Sequence, residues 1–226
     1  MTKRLTFISD THSKHKQITE DLPGGDILLC AGDISSMGYK HEIKEFCAWF
    51  DKIKNYNHKI FIAGNHDWLF QKNPELAKEI VAGYKTITYL QDETITIDGI
   101  NIYGSPWQPE FYNWAFNLPR NGEEITKKWA EIPENTDILI THGPAWGYLD
   151  NINGRMDKLG CELLTERILT INPKIHLCGH IHTGNGYRFN GKTHFVNAAV
   201  LDERYIYMQN PMTMDWEVET NCNNWI

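Results

Sequence analysis

Five short apolar segments of the sequence are each followed by side chains that can bind a divalent metal ion. These groups are Asp10-Thr11-His12, Gly32-Asp33, Gly64-Asn65-His66-Asp67, His142-Gly143 and Gly179-His180-Ile181-His182. Ligands of open α/β sheets gather at the carboxyl ends of the strands, so five such strands can bring these side chains to one rim. His180 and His182 also face the same side if the chain is extended there. The pattern predicts a shared metal site.

The candidate metal ligands are two aspartates, one asparagine and four histidines: Asp10, His12, Asp33, Asn65, His142, His180 and His182. They are too many for a single ion and suit two divalent ions about 3.5–4 Å apart that share one carboxylate, a geometry used for in-line displacement at phosphorus. We expect Asp33 to be the shared ligand. Oxygen and imidazole donors without thiolates favour Mn, Fe or Zn, and the sequence does not separate these three.

Each of these residues, taken alone, also has a purely structural explanation. Asp10 can cap a turn, Asn65 can hold a left-handed turn, and His142 can be a hydrogen-bonded core residue. The combination of five strand ends with compatible chemistry in one chain is what favours a metal site over these alternatives.

The elements that must position these residues follow an α/β pattern, in which short β-rich runs alternate with amphipathic stretches. Strands are predicted at Leu5 to Ser9, Asp26 to Ala31, Lys59 to Gly64, Asp137 to Thr141 and Lys174 to Cys178. Helices are predicted between His41 and Asn55, from Pro74 through Val81, at about Gly122 to Glu131 and at about Cys161 to Ile171. Asp98-Gly99 and Asn190-Gly191 indicate two hairpins. Two packed sheets with helices outside are therefore expected.

Length and composition are those of an ordinary globular protein. We expect one domain over residues 1–226, with a core at about 3–207 and an irregular C-terminal tail, because "MQNPMTMDWEVETNCNNWI" shows no clear period. The formal charge of −7 argues against a nucleic-acid partner, which needs clustered Lys and Arg. Apolar runs are too short to cross a membrane, and the N-terminus lacks a signal-peptide apolar region. Five cysteines without CxxC spacing indicate reduced thiols and a cytoplasmic location.

The ordered set of motifs resembles that of the calcineurin-like metallophosphoesterases. DxH lies at Asp10 and His12, GD at Gly32 and Asp33, GNH(D) at Asn65 to Asp67, a single histidine at His142, and GHxH at His180 and His182. The segments "ISDTHS", "AGNH", "SPWQPEF", "WAFNLPR", "IPENTDILITHGP" and "VNAA" are similar to the small metallophosphoesterase-domain-containing proteins of that superfamily. The resemblance extends from about residue 5 to residue 200.

The resemblance implies a four-layer α/β/β/α sandwich with a dinuclear metal site at the strand ends. It also implies the ligands of each ion: Asp10, His12, Asp33 and His182 for one, and Asp33, Asn65, His142 and His180 for the other. Some members of this branch that lack the first histidine of GHxH are poor catalysts. His180 is present in this sequence, so we expect a competent metal pair.

The expected reaction is phosphoester hydrolysis by a metal-bridging hydroxide, with His66 as the general acid for the leaving oxygen. Asp67 either orients His66 or stabilises the turn. Arg155 either contacts a substrate phosphate or is a solvated loop cation. The aromatic segment 105–120 is expected to be a long loop, whose Trp107 and Trp114 either line the site and stack on a nucleobase or pack against the body of the protein.

Three functions remain open from the sequence. The first is a phosphodiesterase for small substrates such as nucleotide-like diesters. The second is a phosphomonoesterase, including a protein phosphatase, which uses the same metals. The third is a nucleotide-binding regulatory module that keeps the metal site but turns over slowly.

Overall fold

Two β-sheets form the body of the protein in the computed structural model, which describes residues 2–152 and 157–217. In chain order the strands are β1 (Thr2–Ile8), β2 (Ile27–Cys30), β3 (His58–Phe61), β4 (Ile87–Tyr89), β5 (Glu93–Ile97), β6 (Ile100–Ser105), β7 (Gln108–Pro109), β8 (Asn117–Leu118), β9 (Ile138–Thr141), β10 (Ile175–Cys178), β11 (Gly186–Phe189), β12 (His194–Asn197) and β13 (Met212–Glu217). The α-helices are α1 (Lys40–Lys52), α2 (Trp68–Lys72), α3 (Pro74–Ala82), α4 (Glu123–Ala130) and α5 (Glu162–Ile171).

Both large sheets are mixed. The first has the order β13-β1-β2-β3-β4, with β1 to β4 parallel and β13 antiparallel to β1. The second has the order β11-β12-β10-β9-β6-β5, with four parallel central strands and an antiparallel strand at each edge. The prediction of an α/β fold with two mixed sheets is confirmed.

The parallel strands are buried on both faces, which explains why their sequences are continuous apolar runs. Leu29 and Phe7 of the first sheet belong to one apolar cluster with Ile102, Ile140 and Leu177 of the second. This cluster fills the space between the sheets. It fixes the strand ends of one sheet next to those of the other.

Helices cover the remaining faces of the sheets. Phe46 and Phe50 of α1 pack with Phe61 of the first sheet, and residues of α3 join the same cluster. On the second sheet, Trp129 of α4 and Ile168 of α5 pack with strand residues in a third cluster. Three successive apolar clusters are what the expected α/β/β/α layering requires.

The predicted hairpins are confirmed by antiparallel pairing of β5 with β6 and of β11 with β12. Asp98 and Gly99 both have positive φ values, 50° and 84°, as a type I′ turn requires. The segment 105–120 differs from the expected plain loop, because β7 and β8 pair within it as a small two-stranded sheet.

The expectation of an irregular C-terminal tail is wrong for Met212–Glu217, which forms β13 beside β1. Met212, Met214 and Trp216 alternate and pack towards the cluster between the sheets. Asp215, on the other face, accepts a 2.9 Å hydrogen bond from Nε of Arg4. The alternation was missed because methionine is not among the strong strand formers.

Candidate metal centre

The structure brings six of the seven predicted ligands to within contact of one another at the carboxyl ends of strands from both sheets. Asp10 and His12 follow β1, Asp33 follows β2 and Asn65 follows β3. From the other sheet, His142 follows β9, and His182 follows β10. The predicted meeting point at one rim is the one observed.

One group of candidate ligands consists of Asp10, His12 and His182. Nε2 of His182 lies 3.3 Å from Nε2 of His12 and 3.3 Å from Oδ1 of Asp10. Nδ1 of His182 donates to the backbone oxygen of Asp202 at 2.8 Å, because a carbonyl can only accept. In a neutral ring this leaves the lone pair on Nε2, which faces the other donors as a metal-binding histidine does.

A second group consists of Asp10, Asp33 and His142, with Asn65 beside them. Nδ1 of His142 donates to the backbone oxygen of Ala31 at 2.8 Å, which again directs Nε2 inward. That Nε2 lies 2.9 Å from Oδ1 of Asn65 and 3.3 Å from Oδ2 of Asp33. Imidazole nitrogen, amide oxygen and carboxylate oxygen thus converge on one point.

Asp33 lies between the two groups. Its Oδ2 is 3.6 Å from Nε2 of His12 and 3.3 Å from Nε2 of His142. Its Oδ1 accepts the backbone N–H of His66 at 2.8 Å. One carboxylate oxygen is therefore anchored to the protein, while the other faces both sets of donors.

His180 lies at the same rim but outside these groups. Its ring centroid is 5.1 Å from that of His142 and 5.3 Å, edge to face, from that of Phe111. Its backbone N–H donates to both carboxylate oxygens of Asp10, at 3.0 and 3.1 Å. Its chain segment therefore orients Asp10, and its ring lies beside the second group.

The backbone of the site is strained. Asp10, His12, Asp33 and His180 have φ values of 55°, 39°, 49° and 66°, in the left-handed region that non-glycine residues rarely adopt. Backbone hydrogen bonds such as that from His12 N to Asp33 O, at 2.9 Å, hold these conformations. Strain of this kind concentrates at functional sites, so it supports a function for these turns.

Two glycines leave room for the carboxylates. A Cβ at Gly64 would collide with Oδ1 of Asp33, and a Cβ at Gly179 would collide with Oδ2 of Asp10. A larger side chain at either position would displace a candidate ligand.

The negative charges of the buried carboxylates at the site need a bound proton or a cation to balance them. Burial raises the pKa of Asp10, but the hydrogen bond with His182 and the charges of His182 and His142 together outweigh burial and bring the pKa to about 2. Burial lowers the pKa of His142, yet the charge and hydrogen bond of Asp33 together with the charge of Asp10 outweigh it and raise the pKa to about 9. His182 likewise has a pKa raised to about 9, where burial is outweighed by Asp10. The buried carboxylates thus require positive charge beside them.

The other two histidines are favoured in the neutral form. Burial lowers the pKa of His12 to about 4 and the pKa of His180 to about 3. Nδ1 of His12 is buried and has no hydrogen-bond partner within the described residues. Neutral imidazoles next to ionised carboxylates are the donor set of a divalent transition-metal site, so these residues fit the predicted cofactor.

His66 lies beside the candidate ligands and forms a third group with His12 and Asp33. Nδ1 of His66 donates to the backbone oxygen of Ser36 at 2.7 Å. The ring meets that of His12 edge to face, with centroids 4.6 Å apart. This orientation leaves Nε2 as the ring nitrogen available for proton transfer.

Asp67 binds the backbone rather than the ring of His66. Its buried carboxylate accepts the backbone N–H groups of Ile34, Ser35 and Gly64 and the hydroxyl of Ser35, at 2.5–3.2 Å. Burial and the charge of Asp33 raise its pKa to about 7. Of the two expected roles, the contacts favour stabilisation of the turns after β2 and β3. The predicted catalytic role has no contact to support it within the described residues.

The aromatic candidates differ in position. Nε1 of Trp107 donates to Oδ2 of Asp92 at 2.8 Å, and its ring packs edge to face on Phe116. Trp107 therefore attaches the loop to the body of the protein. Trp114 stacks on His66, with ring centroids 4.0 Å apart and planes 25° apart. The predicted contact of Trp107 with substrate therefore finds no support in its position. Arg155, the predicted phosphate contact, lies outside the described residues.

A cavity of about 190 Å³ opens in front of the metal centre. Candidate ligands and His66 form one side of it. Its other lining residues are Phe111, Ile152, Leu159, Ile181, Thr183, Glu203 and Tyr205. The ring of Tyr205 stands edge-on to His12, at 4.7 Å between centroids.

Sequence reasoning missed two residues at this site. Tyr205 has no motif around it, and only its position after the β10 motif and β12 could have suggested it. Glu42 accepts hydrogen bonds from the Ser13 hydroxyl and from the backbone N–H groups of Ser36, Met37 and Tyr39, at 2.9–3.1 Å. It therefore fixes the loop whose Ser36 carbonyl orients His66. An acidic residue in the first turn of a predicted helix was the available signal.

Comparison with known proteins agrees with this geometry. Residues 3–184 match the sequence profile of the calcineurin-like phosphoesterases. The chain belongs to this family, and the resemblance found in the motifs is confirmed. The family supports a metal-dependent phosphoester hydrolase, and the candidate ligand groups described above could hold a metal ion.

Two relatives and one solved structure show how far the similarity extends. The chain is 39% identical over 239 aligned residues to human metallophosphoesterase domain-containing protein 1, covering 96% of this chain and 72% of the relative. It is 35% identical to a UPF0046 protein of Caenorhabditis elegans, covering 94% of this chain and 59% of the relative. A phosphopantetheinyl hydrolase from Mycobacterium tuberculosis shares the fold, with a TM-score of 0.58 at 14% identity over 89% of this chain and 90% of that one.

Proposed function

We propose that the protein is a dinuclear metal-dependent phosphodiesterase for small or nucleotide-like diesters. The observation that carries the proposal is the position of Asp33, whose Oδ2 lies 3.6 Å from His12 Nε2 and 3.3 Å from His142 Nε2. A carboxylate oxygen that faces two sets of donors is the arrangement expected for a ligand shared by two ions.

In this proposal, one ion would be held by Asp10, His12, Asp33 and His182, and the other by Asp33, Asn65, His142 and His180. Mn, Fe or Zn suits these oxygen and imidazole donors. When bound, the two ions lower the pKa of a water molecule and place positive charge beside the phosphate. The carbonyls of Ala31 and Asp202 bind Nδ1 of His142 and His182, which leaves their Nε2 atoms free to act as ligands of the ions that the site would hold.

His66 is the proposed proton donor. The oxygen of the attacking water bonds to phosphorus, and the bond from phosphorus to the leaving oxygen breaks with its electron pair on that oxygen. Nε2 of His66 gives its proton to the leaving oxygen, and the proton released by the water restores the imidazolium. The Ser36 carbonyl keeps Nδ1 protonated throughout, so Nε2 is the nitrogen that exchanges the proton.

The cavity favours a diester over a phosphate monoester. Phe111, Ile152, Leu159 and Ile181 give it an apolar wall beside the metal centre. A second ester group of a substrate can lie against this wall, where burial of apolar surface contributes to binding. A monoester has one organic group, and when that group is placed at the leaving oxygen beside His66 no second group contacts the wall.

Kinetics on paired substrates test this proposal. Chelator-stripped protein is assayed with bis(p-nitrophenyl) phosphate and with p-nitrophenyl phosphate after addition of Mn, Zn, Mg or no metal. We expect metal-restored cleavage of the diester in preference to the monoester. Cleavage of the monoester alone would instead favour a phosphomonoesterase, and nucleotide binding without turnover would favour the regulatory module.

The cellular setting is part of the proposal. A small phosphoester, rather than a nucleic acid or a membrane, is the proposed partner of a chain with a formal charge of −7. Within the described residues, no helix is long and apolar enough to span a bilayer. Cys30, Cys47, Cys161 and Cys178 are buried free thiols, which supports a reducing compartment, and we propose the cytoplasm.

A further inference from the structure

Trp114 and His66 form a close ring pair at the edge of the metal centre. Their centroids are 4.0 Å apart and their planes 25° apart, so the indole covers one face of the imidazole. Nδ1 of the same imidazole is bound to the Ser36 carbonyl at 2.7 Å, and the ring of His12 meets it edge-on at 4.6 Å. Three contacts in different directions thus define the orientation of His66.

The segment that carries Trp114 is attached to the same turn as His66. The backbone N–H of Ala115 donates to the backbone oxygen of Asn65 at 3.0 Å. The backbone N–H of Phe116 donates to Oε1 of Gln71 at 3.0 Å, and Phe116 is fully buried. Trp114 is therefore fixed relative to the chain segment that contains Asn65 and His66.

Trp114 is not among the described residues that line the cavity in front of the metal centre. His66 and Phe111, which come from the two segments that the pair joins, do line it. The indole of Trp114 is half-buried, and one of its faces is covered by the ring of His66. A residue placed in this way acts on the reaction through His66.

We propose that Trp114 is a positioning residue that holds His66 in the orientation needed to protonate the leaving oxygen. The inference rests on the proposed function, since it assigns a role within the same proton transfer. A general acid contributes about 10²- to 10⁴-fold to a rate when it is correctly placed. Within the described residues, loss of the stack leaves the Ser36 carbonyl and the edges of His12 and Tyr205 to orient the ring, and neither aromatic edge covers its face.

The first test is independent of activity. In metal-free protein, ¹⁵N-edited NMR of the His66 ring is compared between the wild type and Trp114→Leu. We expect ring-current-shifted signals and a single Nδ1–H tautomer in the wild type. In the variant we expect loss of the ring-current shift and line broadening or a second tautomer. An unchanged tautomer with equally narrow lines would overturn the proposal.

The second test uses the acidity of the leaving group. Diphenyl phosphate releases a weaker acid than bis(p-nitrophenyl) phosphate, so its cleavage depends more on proton donation. Trp114→Leu is expected to lower kcat for diphenyl phosphate about ten-fold or more and to change kcat for the nitrophenyl diester little. Trp114→Phe, which keeps an aromatic face, is expected to restore most of the loss.

Two controls separate positioning from a general effect. Tyr112→Leu removes an exposed aromatic ring from the same loop, and its ring contacts Phe111 rather than His66, so both rates should stay at wild-type values. The double variant Trp114→Leu/His66→Asn should be no slower than His66→Asn alone, because both changes remove one proton transfer.

The outcomes distinguish this inference from the proposed function. Wild-type protein that cleaves neither diester with any metal would contradict the proposed function, and the NMR comparison would still decide the role of Trp114. Wild-type activity with an equal loss on both diesters in Trp114→Leu would contradict the positioning role and leave the phosphodiesterase intact.

Discussion

Replacement of Asp33 by asparagine removes the charge between the two ligand groups while the size of the side chain is kept. Oδ2 of Asp33 lies 3.3 and 3.6 Å from the Nε2 atoms of His142 and His12. At an effective dielectric constant of about 20, the attraction between two opposite unit charges at such a distance contributes roughly 5 kcal/mol. This corresponds to about three to four powers of ten in a binding constant. We therefore expect Asp33→Asn to weaken binding of both ions by at least about 1,000-fold.

Isothermal titration of chelator-stripped protein with Mn²⁺ measures this change, and elemental analysis after gel filtration gives the number of ions that remain bound. Asp215→Asn is the matched control, because it makes the same chemical change at a half-exposed carboxylate that pairs with Arg4. We expect the control to bind two ions as the wild type does. Two ions bound to Asp33→Asn with wild-type affinity would refute the assignment of Asp33 as the shared ligand.

Three further predictions concern the acid, the histidines and the C-terminal strand. His66→Asn should keep its metal and lose about 10²- to 10⁴-fold in kcat on diphenyl phosphate, and undiminished turnover would exclude His66 as the acid. Without metal, the raised pKa values of His142 and His182 stabilise the fold fully below pH about 6.5, and this contribution is lost as the pH rises through about 9. Denaturant titrations in chelator should therefore show stability falling over that range, and saturating metal should remove the trend. Trp216→Ala should destabilise the protein by about 3 kcal/mol in the same assay, whereas an irregular tail would show no change.

The strand ends could be predicted from the sequence because each apolar run stops at a ligand-type residue. In parallel strands the run and its end are local features, so Asp33 after "ILLC" and His142 after "ILIT" could be placed without knowledge of the fold. Their distances could not be predicted, because they depend on how two sheets pack against each other. The strained turns at Asp10 and His180 likewise depend on contacts between residues 170 positions apart.

The supporting residues were harder to predict. Trp107 and Trp114 belong to one aromatic segment, yet one indole binds Asp92 and the other stacks on His66. Sequence composition does not distinguish these environments, because the partners of the two indoles, Asp92 and His66, lie in other parts of the chain. The C-terminal strand was missed for a similar reason, since β13 gains its hydrogen bonds from β1 at the other end of the chain.

The positions of bound metal ions test the account most directly. Crystals grown from protein loaded with Mn²⁺ would be measured by anomalous diffraction at the Mn absorption edge. We expect two peaks about 3.5–4 Å apart on either side of Oδ2 of Asp33, one beside His12 and His182 and one beside His142. A single peak, or peaks away from Asp33, would contradict the dinuclear site.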